Sequence, residues 1–138
     1  MQFHHRNVVD DLFIRIANQR RMFPYEDLIV YKKAYESNRK IYRLIKGKNK
    51  LPAYARNQLG RASLSVMLNI AEGSAKFSNR DRRNFYITAR GSAFESASLL
   101  NFLFDEGEVE KQLKQDLCRE YEEISRILFT MINNLPEK

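Results

Sequence analysis

Residues 69–96 read NIAEGSAKFSNRDRRNFYITARGSAFES. An apolar helix runs into Asn-Ile-Ala-Glu-Gly, breaks, and restarts a few residues later to carry Gly-Ser-x-x-Glu. Carboxylates and amides inside apolar stretches cost free energy unless they find partners. Glu72 and Glu95 are therefore surface residues, members of a buried polar network, or a catalytic or metal-binding pair.

The flanking helices help to choose. Upstream, Pro52 suits the first turn of a helix that runs to Glu72 or Gly73. Leu59, Ala62, Val66 and Ile70 fall on one side of it, and Leu64, Leu68 and Ala71 on nearly the opposite side. Arg61 is the only charge between positions 57 and 71. A helix apolar on two faces is buried on two faces, so the second face needs the N-terminal segment or another subunit. Downstream, Ser78 and Asp81 resemble a capping box and open a helix to about Phe104. Phe85, Ala89, Ser96, Leu99 and Leu103 share one side of that helix, whereas Ile87 and Phe94 point away. Leu64, Leu68, Ile87 and Phe94 are accordingly expected at an oligomer interface.

Two further helices complete the chain. Over residues 26–46, Tyr31, Tyr35, Asn38, Tyr42 and Ile45 form a stripe supported by Leu28, Ala34 and Ile41, and Gly47 is a plausible stop. From about Glu108 to Asn134, Leu113, Leu117, Tyr121, Ile124, Leu128 and Met131 recur at heptad-like spacing, with Leu135 next in the series. Short connections and no alternating strand pattern predict an all-α, antiparallel up-down four-helix bundle over residues 24–138. Residues 1–23 read as an extension holding a short docking helix, with Asn7 as cap and Val8, Val9, Leu12, Phe13 and Ile16 as its apolar edge.

Gln58, Arg61, Ser65, Asn69 and Glu72 recur at three- and four-residue steps along one edge of the second helix. With the next helix antiparallel, Arg61 can meet Glu95, and a guanidinium suits a carboxylate. Asn69 and Glu72 would then satisfy the helix end. Deep burial of this network would make loss of Glu95 cost about 3–5 kcal/mol. The small residues Gly91, Ser92, Ala93 and Ser96 are expected to let the helices approach closely.

The chain of 138 residues suits one globular domain, with 43% apolar and 30% charged residues. Its single cysteine, Cys118, excludes a disulfide framework within the chain and suits a reducing cytoplasm. No apolar run approaches a membrane span, and MQFHHRNVVDD lacks the features of a signal peptide.

Charge is uneven. The net charge is +7, and residues 25–50 hold eight Lys/Arg against three Asp/Glu. Lys33, Lys40 and Arg43 share one edge of the first helix, placed opposite the tyrosines, with Lys32, Arg39 and Lys46 flanking and Lys48 and Lys50 beyond. Such a stripe is the electrostatic footprint of phosphate-backbone binding, and equally that of a merely solvated helix face. No base-reading motif accompanies it, so binding of RNA or DNA would be weakly sequence-specific. An enzyme is disfavoured. Di-iron bundles need Glu-x-x-His pairs on facing helices, and both histidines, His4 and His5, precede the bundle. No metal or cofactor is expected.

These motifs resemble a known family, the bacterial four-helix bundle proteins encoded in intervening sequences of 23S ribosomal RNA genes. The resemblance rests on Tyr25–Leu28, Gln58-x-x-Arg61-Ala62-x-x-Ser65, Asn69–Gly73, Ser78-x-x-Asp81 and Phe85–Glu95. It departs at Ser63, where a second alanine is more usual, and in the longer segment before Phe23. The resemblance implies a ring of five subunits. It also implies kinship with the accessory variability determinant of diversity-generating retroelements, a basic ring that binds nucleic acid and a reverse transcriptase. Two function classes follow: a nucleic-acid-binding homopentamer, or an adaptor ring for a protein partner such as a reverse transcriptase.

Overall fold

The computed structural model describes residues 8–9, 23–47 and 51–137. A 3-10 turn at Pro24–Asp27 leads into α1 (Ile29–Lys46), followed by α2 (Ala53–Ala75), α3 (Asn79–Asp105) and α4 (Lys111–Asn134). Among the described residues there is no strand. The N-terminal helix expected around residues 7–21 lies outside the described residues, save Val8 and Val9, which are helical and exposed.

Cross-helix contacts give the topology. Ser63 on α2 meets Asn38 on α1, and Gly60 lies against Ile45. Ser65 on α2 meets Ser92 on α3, and Gly73 meets Tyr86. Lys33 and Lys40 on α1 reach Glu123 and Glu120 on α4. In each pair of helices one number rises as the other falls, so neighbours are antiparallel. Each helix packs on its sequence neighbours, and α1 also packs on α4. This is an up-down four-helix bundle.

The core is the expected one on α2: Leu59, Ala62, Val66 and Ile70 are all buried. Leu59, Val66 and Ile70 meet Ala89, Leu100 and Leu103 of α3 and Leu117, Ile124 and Leu128 of α4 in one cluster. On α1 the expectation needs correcting. Val30, Ala34, Ser37, Ile41 and Leu44 face the core, one position round from the tyrosine stripe. Two stripes of equal period lie side by side there. The aliphatic one goes inside because Tyr side chains keep their hydroxyls wet at little cost when they sit at a boundary.

The helix ends follow local chemistry. The Ser78 hydroxyl accepts from the Asp81 amide at 3.1 Å, capping α3 as expected. At the other end, the amides of Gly107 and Glu108 donate to the carbonyls of Phe104 and Leu103. That is a Schellman stop, and it requires the positive φ of +77° at Gly107. Gly47 ends α1 in an extended conformation rather than a left-handed one.

Gly73 does not terminate α2, which continues to Ala75. A Cβ added there would lie 2.7 Å from the Tyr86 ring and 3.0 Å from Cβ of Phe85. The glycine of Asn-Ile-Ala-Glu-Gly therefore serves the close approach of α2 and α3 beside their connecting turn. Gly91 does not serve such an approach, since a Cβ there meets nothing within 4 Å.

The two glycines should respond oppositely to alanine. Gly73→Ala overpacks the α2–α3 contact and should cost about 1–3 kcal/mol. Gly91→Ala should be neutral or stabilising by about 0.5–1 kcal/mol through helix propensity. Denaturant melts of both variants beside the parent decide this; equal destabilisation would refute the assignment.

Candidate nucleic-acid interface

The polar edge of α2 does meet α3, but through different partners from those expected. Asn69 Nδ2 donates to the Ser65 carbonyl at 2.8 Å and to its hydroxyl at 2.9 Å. The Ser65 hydroxyl shares a 2.8 Å hydrogen bond with that of Ser92. Gln58 Nε2, not Arg61, donates to Glu95. Arg61, Glu72 and Glu95 are all exposed. Among the described residues, Arg61 and Glu72 make no hydrogen bond or ion pair. The Arg61–Glu95 pair is thus not formed. Arg61 lies too far round the outer side of α2, and the amide at Gln58 takes its place.

Glu72 and Glu95 do not form a carboxylate pair either. Ser65 faces Ser92, so Glu95 is level with the Arg61–Ala62 turn, some ten residues or about 15 Å along α2 from Glu72. Both are surface residues.

The expected interface residues lie on the outer sides of their helices. Leu64, Leu68, Ile87 and Phe94 are between 42% and 53% exposed. Cys118 is half-buried against the Ala97 carbonyl, and burial raises its thiol pKa.

The basic residues of α1 divide into two groups. Lys33 pairs with Glu123 at 2.9 Å and Lys40 with Glu120 at 2.7 Å. These two belong to the α1–α4 seam, where they help to hold α4 in place. As partly exposed pairs they contribute about 0–1 kcal/mol each. The expected stripe of Lys33, Lys40 and Arg43 is therefore not one free surface, because α4 brings carboxylates to two of its three members.

Lys32, Arg39, Arg43 and Lys46 are exposed along the outward side of α1. The one carboxylate within α1 is Glu36, 3.5 Å from Arg39, and Glu26 of the preceding turn lines a depression with Glu36 and Lys32. Lys46 lies over the Tyr42 ring, 5.4 Å from its centroid. Lys48 and Lys50 lie outside the described residues. The tyrosines are not opposite these cations but beside them: Tyr35, Asn38, Arg39, Tyr42 and Arg43 line one shallow groove.

Two cations were not anticipated as part of this surface. Arg56 and Arg61, both exposed, line a second depression with Ile45, Gly60 and Leu64. The sequence signal was present in the antiparallel arrangement, which brings the end of α1 beside the start of α2.

A model of the 23S rRNA-intervening sequence proteins matches residues 26–130 of the chain. The chain belongs to this family. The match runs from the 3-10 turn into the last turns of α4, and so includes the whole cationic side of α1. The chain is also similar to a protein of unknown function from the S23 ribosomal protein family of Bacteroides thetaiotaomicron VPI-5482, whose crystal structure was determined at 1.70 Å. That chain is 23% identical, with a TM-score of 0.73 over 77% of this chain and 100% of the other. The likeness is one of fold. No curated protein matches the chain. Among the described residues, no helix is long and apolar enough to cross a membrane.

An exposed Glu95 is not a deeply buried partner. Glu95→Ala should therefore stay within about 0.5 kcal/mol of the parent in a denaturant melt. A loss of several kcal/mol would restore the buried-network reading.

Proposed function

We propose that this family member is a non-enzymatic, oligomeric accessory protein that binds RNA or DNA through its phosphate backbone with little sequence specificity. The observation that carries this reading is the outward side of α1, where Arg39, Arg43 and Lys46 are exposed together with Lys32, and where Glu36 is the one carboxylate that α1 itself contributes. An excess of cations over carboxylates on one helix face favours a polyanion. Its setting in this reading is the bacterial cytoplasm.

Assembly completes the proposal. Leu64, Leu68, Ile87 and Phe94 leave apolar area in water on α2 and α3, and burying such area drives association. The family resemblance supplies the number five. In a closed ring every copy would repeat the same cationic face around the axis. Light scattering after size exclusion should give a closed oligomer, most simply a pentamer; a clean monomer at micromolar concentration refutes this part.

A second reading has its own observation. Arg90 lies 4.6 Å from the Phe94 ring centroid and 5.4 Å from that of Phe129, and both phenylalanines are about half exposed. Arginine among aromatics is the composition of protein-binding hot spots. In that reading Phe94 serves the partner rather than the subunit contact, and the assembly is an adaptor for a protein such as a reverse transcriptase.

Fluorescence anisotropy with labelled RNA and DNA across a salt series tests the main reading. Affinity should fall with a log–log slope of about −0.7 per phosphate contact on single strands and about −0.9 on duplex. Reversing Arg39, Arg43 and Lys46 to Glu should abolish binding without changing the oligomeric state. Reversing Lys33 and Lys40 instead sets Glu against Glu123 and Glu120, and should lower stability more than affinity. Undiminished binding by the outer-face variant would place the contact elsewhere. No binding by the parent at low salt would leave the adaptor reading in front.

A further inference from the structure

We infer that the outward side of α1 is a stacking platform for unpaired bases, so that the ligand is single-stranded RNA or DNA rather than a duplex. This rests on the backbone-binding reading above and narrows it. Tyr35 is 45% exposed and Tyr42 is 59% exposed. They are seven residues apart, two helical turns, so their rings leave α1 in nearly the same direction about 10.5 Å apart along the axis. Arg39 and Arg43 stand on the same side, and both tyrosines line the groove with them.

The rings are supported rather than loose. Tyr35 lies 6.1 Å from Tyr31, centroid to centroid, and Tyr31 lies 4.6 Å from Tyr25. Tyr42 is held by the cation of Lys46. Asn38, between the two, accepts from the Ser63 hydroxyl at 2.9 Å. Among the described residues its own NH2 donates to nothing, which leaves a donor in the groove.

Such an alternation selects among polyanions. Guanidinium and ammonium groups attract any phosphate backbone, strand or duplex. Exposed aromatic faces gain nothing from a duplex, whose base faces are already stacked on one another. A single strand offers free π-faces, and every base has one, so the gain is indifferent to sequence. Cations alone would make a surface without preference. Cations interleaved with two supported tyrosines make one that prefers strands.

The test compares fluorescein-labelled oligo(dT), oligo(U) and a DNA duplex of equal length at one fixed low salt concentration. The parent should bind both strands more tightly than the duplex. Tyr35→Ala with Tyr42→Ala should weaken strand binding by about tenfold or more and leave duplex binding unchanged. Tyr35→Phe with Tyr42→Phe should retain strand binding, because the ring and not the hydroxyl stacks. The chain has no tryptophan, so Tyr42→Trp adds a sole indole, whose emission should be quenched by oligo(dT) and not by duplex. If the alanine pair binds strands like the parent, or the indole is unmoved by saturating oligo(dT), stacking is refuted while the backbone reading stands. If the parent binds neither strand nor duplex, both fall.

Discussion

At the turn between α2 and α3, the backbone of Gly73 lies against the ring of Tyr86 with no room for a side-chain carbon. That contact sets how closely the two central helices run, and their register follows from it. With Gly73 at Tyr86, Ser65 falls opposite Ser92 and the two hydroxyls meet. Leu59, Ala62, Val66 and Ile70 then turn inward together. The same rotation turns Arg61, Leu64 and Leu68 outward. The missing side chain at Gly73 thus permits the close packing in which one side of α2 is core and the other is left for something else.

Closure of the bundle has an electrostatic consequence. The last helix is acidic where the first is basic, and packing them side by side brings Glu120 to Lys40 and Glu123 to Lys33. Half-exposed pairs of this kind add little stability. Their larger effect is on the field outside the molecule. Two cations of α1 are neutralised at the seam, and the rest of its positive charge is left on the outward side with Tyr35 and Tyr42. There, charge and aromatic surface are interleaved rather than set on opposite faces.

Two surfaces of different chemistry result, and they adjoin at Leu64, which lines a depression with Arg56 and Arg61. Exposed apolar side chains lie on α2 and α3, and exposed cations with tyrosines on α1. Helices α1 and α3 are diagonal in the bundle, with no close backbone approach among the described residues. In the proposed reading, subunits can associate through α3 and leave the outer side of α1 open to a ligand.

Much of this was legible in the sequence, because it depends on neighbours along one helix. The 3.6-residue period showed four helices. Ser78 and Asp81 marked the start of α3, and the doubly apolar pattern of α2 separated Val66 and Ile70 from Leu64 and Leu68. What tertiary structure decided is what one helix asks of another. On α1 two parallel stripes were both periodic, and only packing chose Val30, Ile41 and Leu44 over Tyr35 and Tyr42 for the core. Gln58 rather than Arg61 met Glu95 because reach across an interface depends on the rotation of both helices. Lys33 and Lys40 became seam residues because α4 supplied carboxylates from eighty or more positions away. Periodicity says which residues share a face; it cannot say what that face will meet.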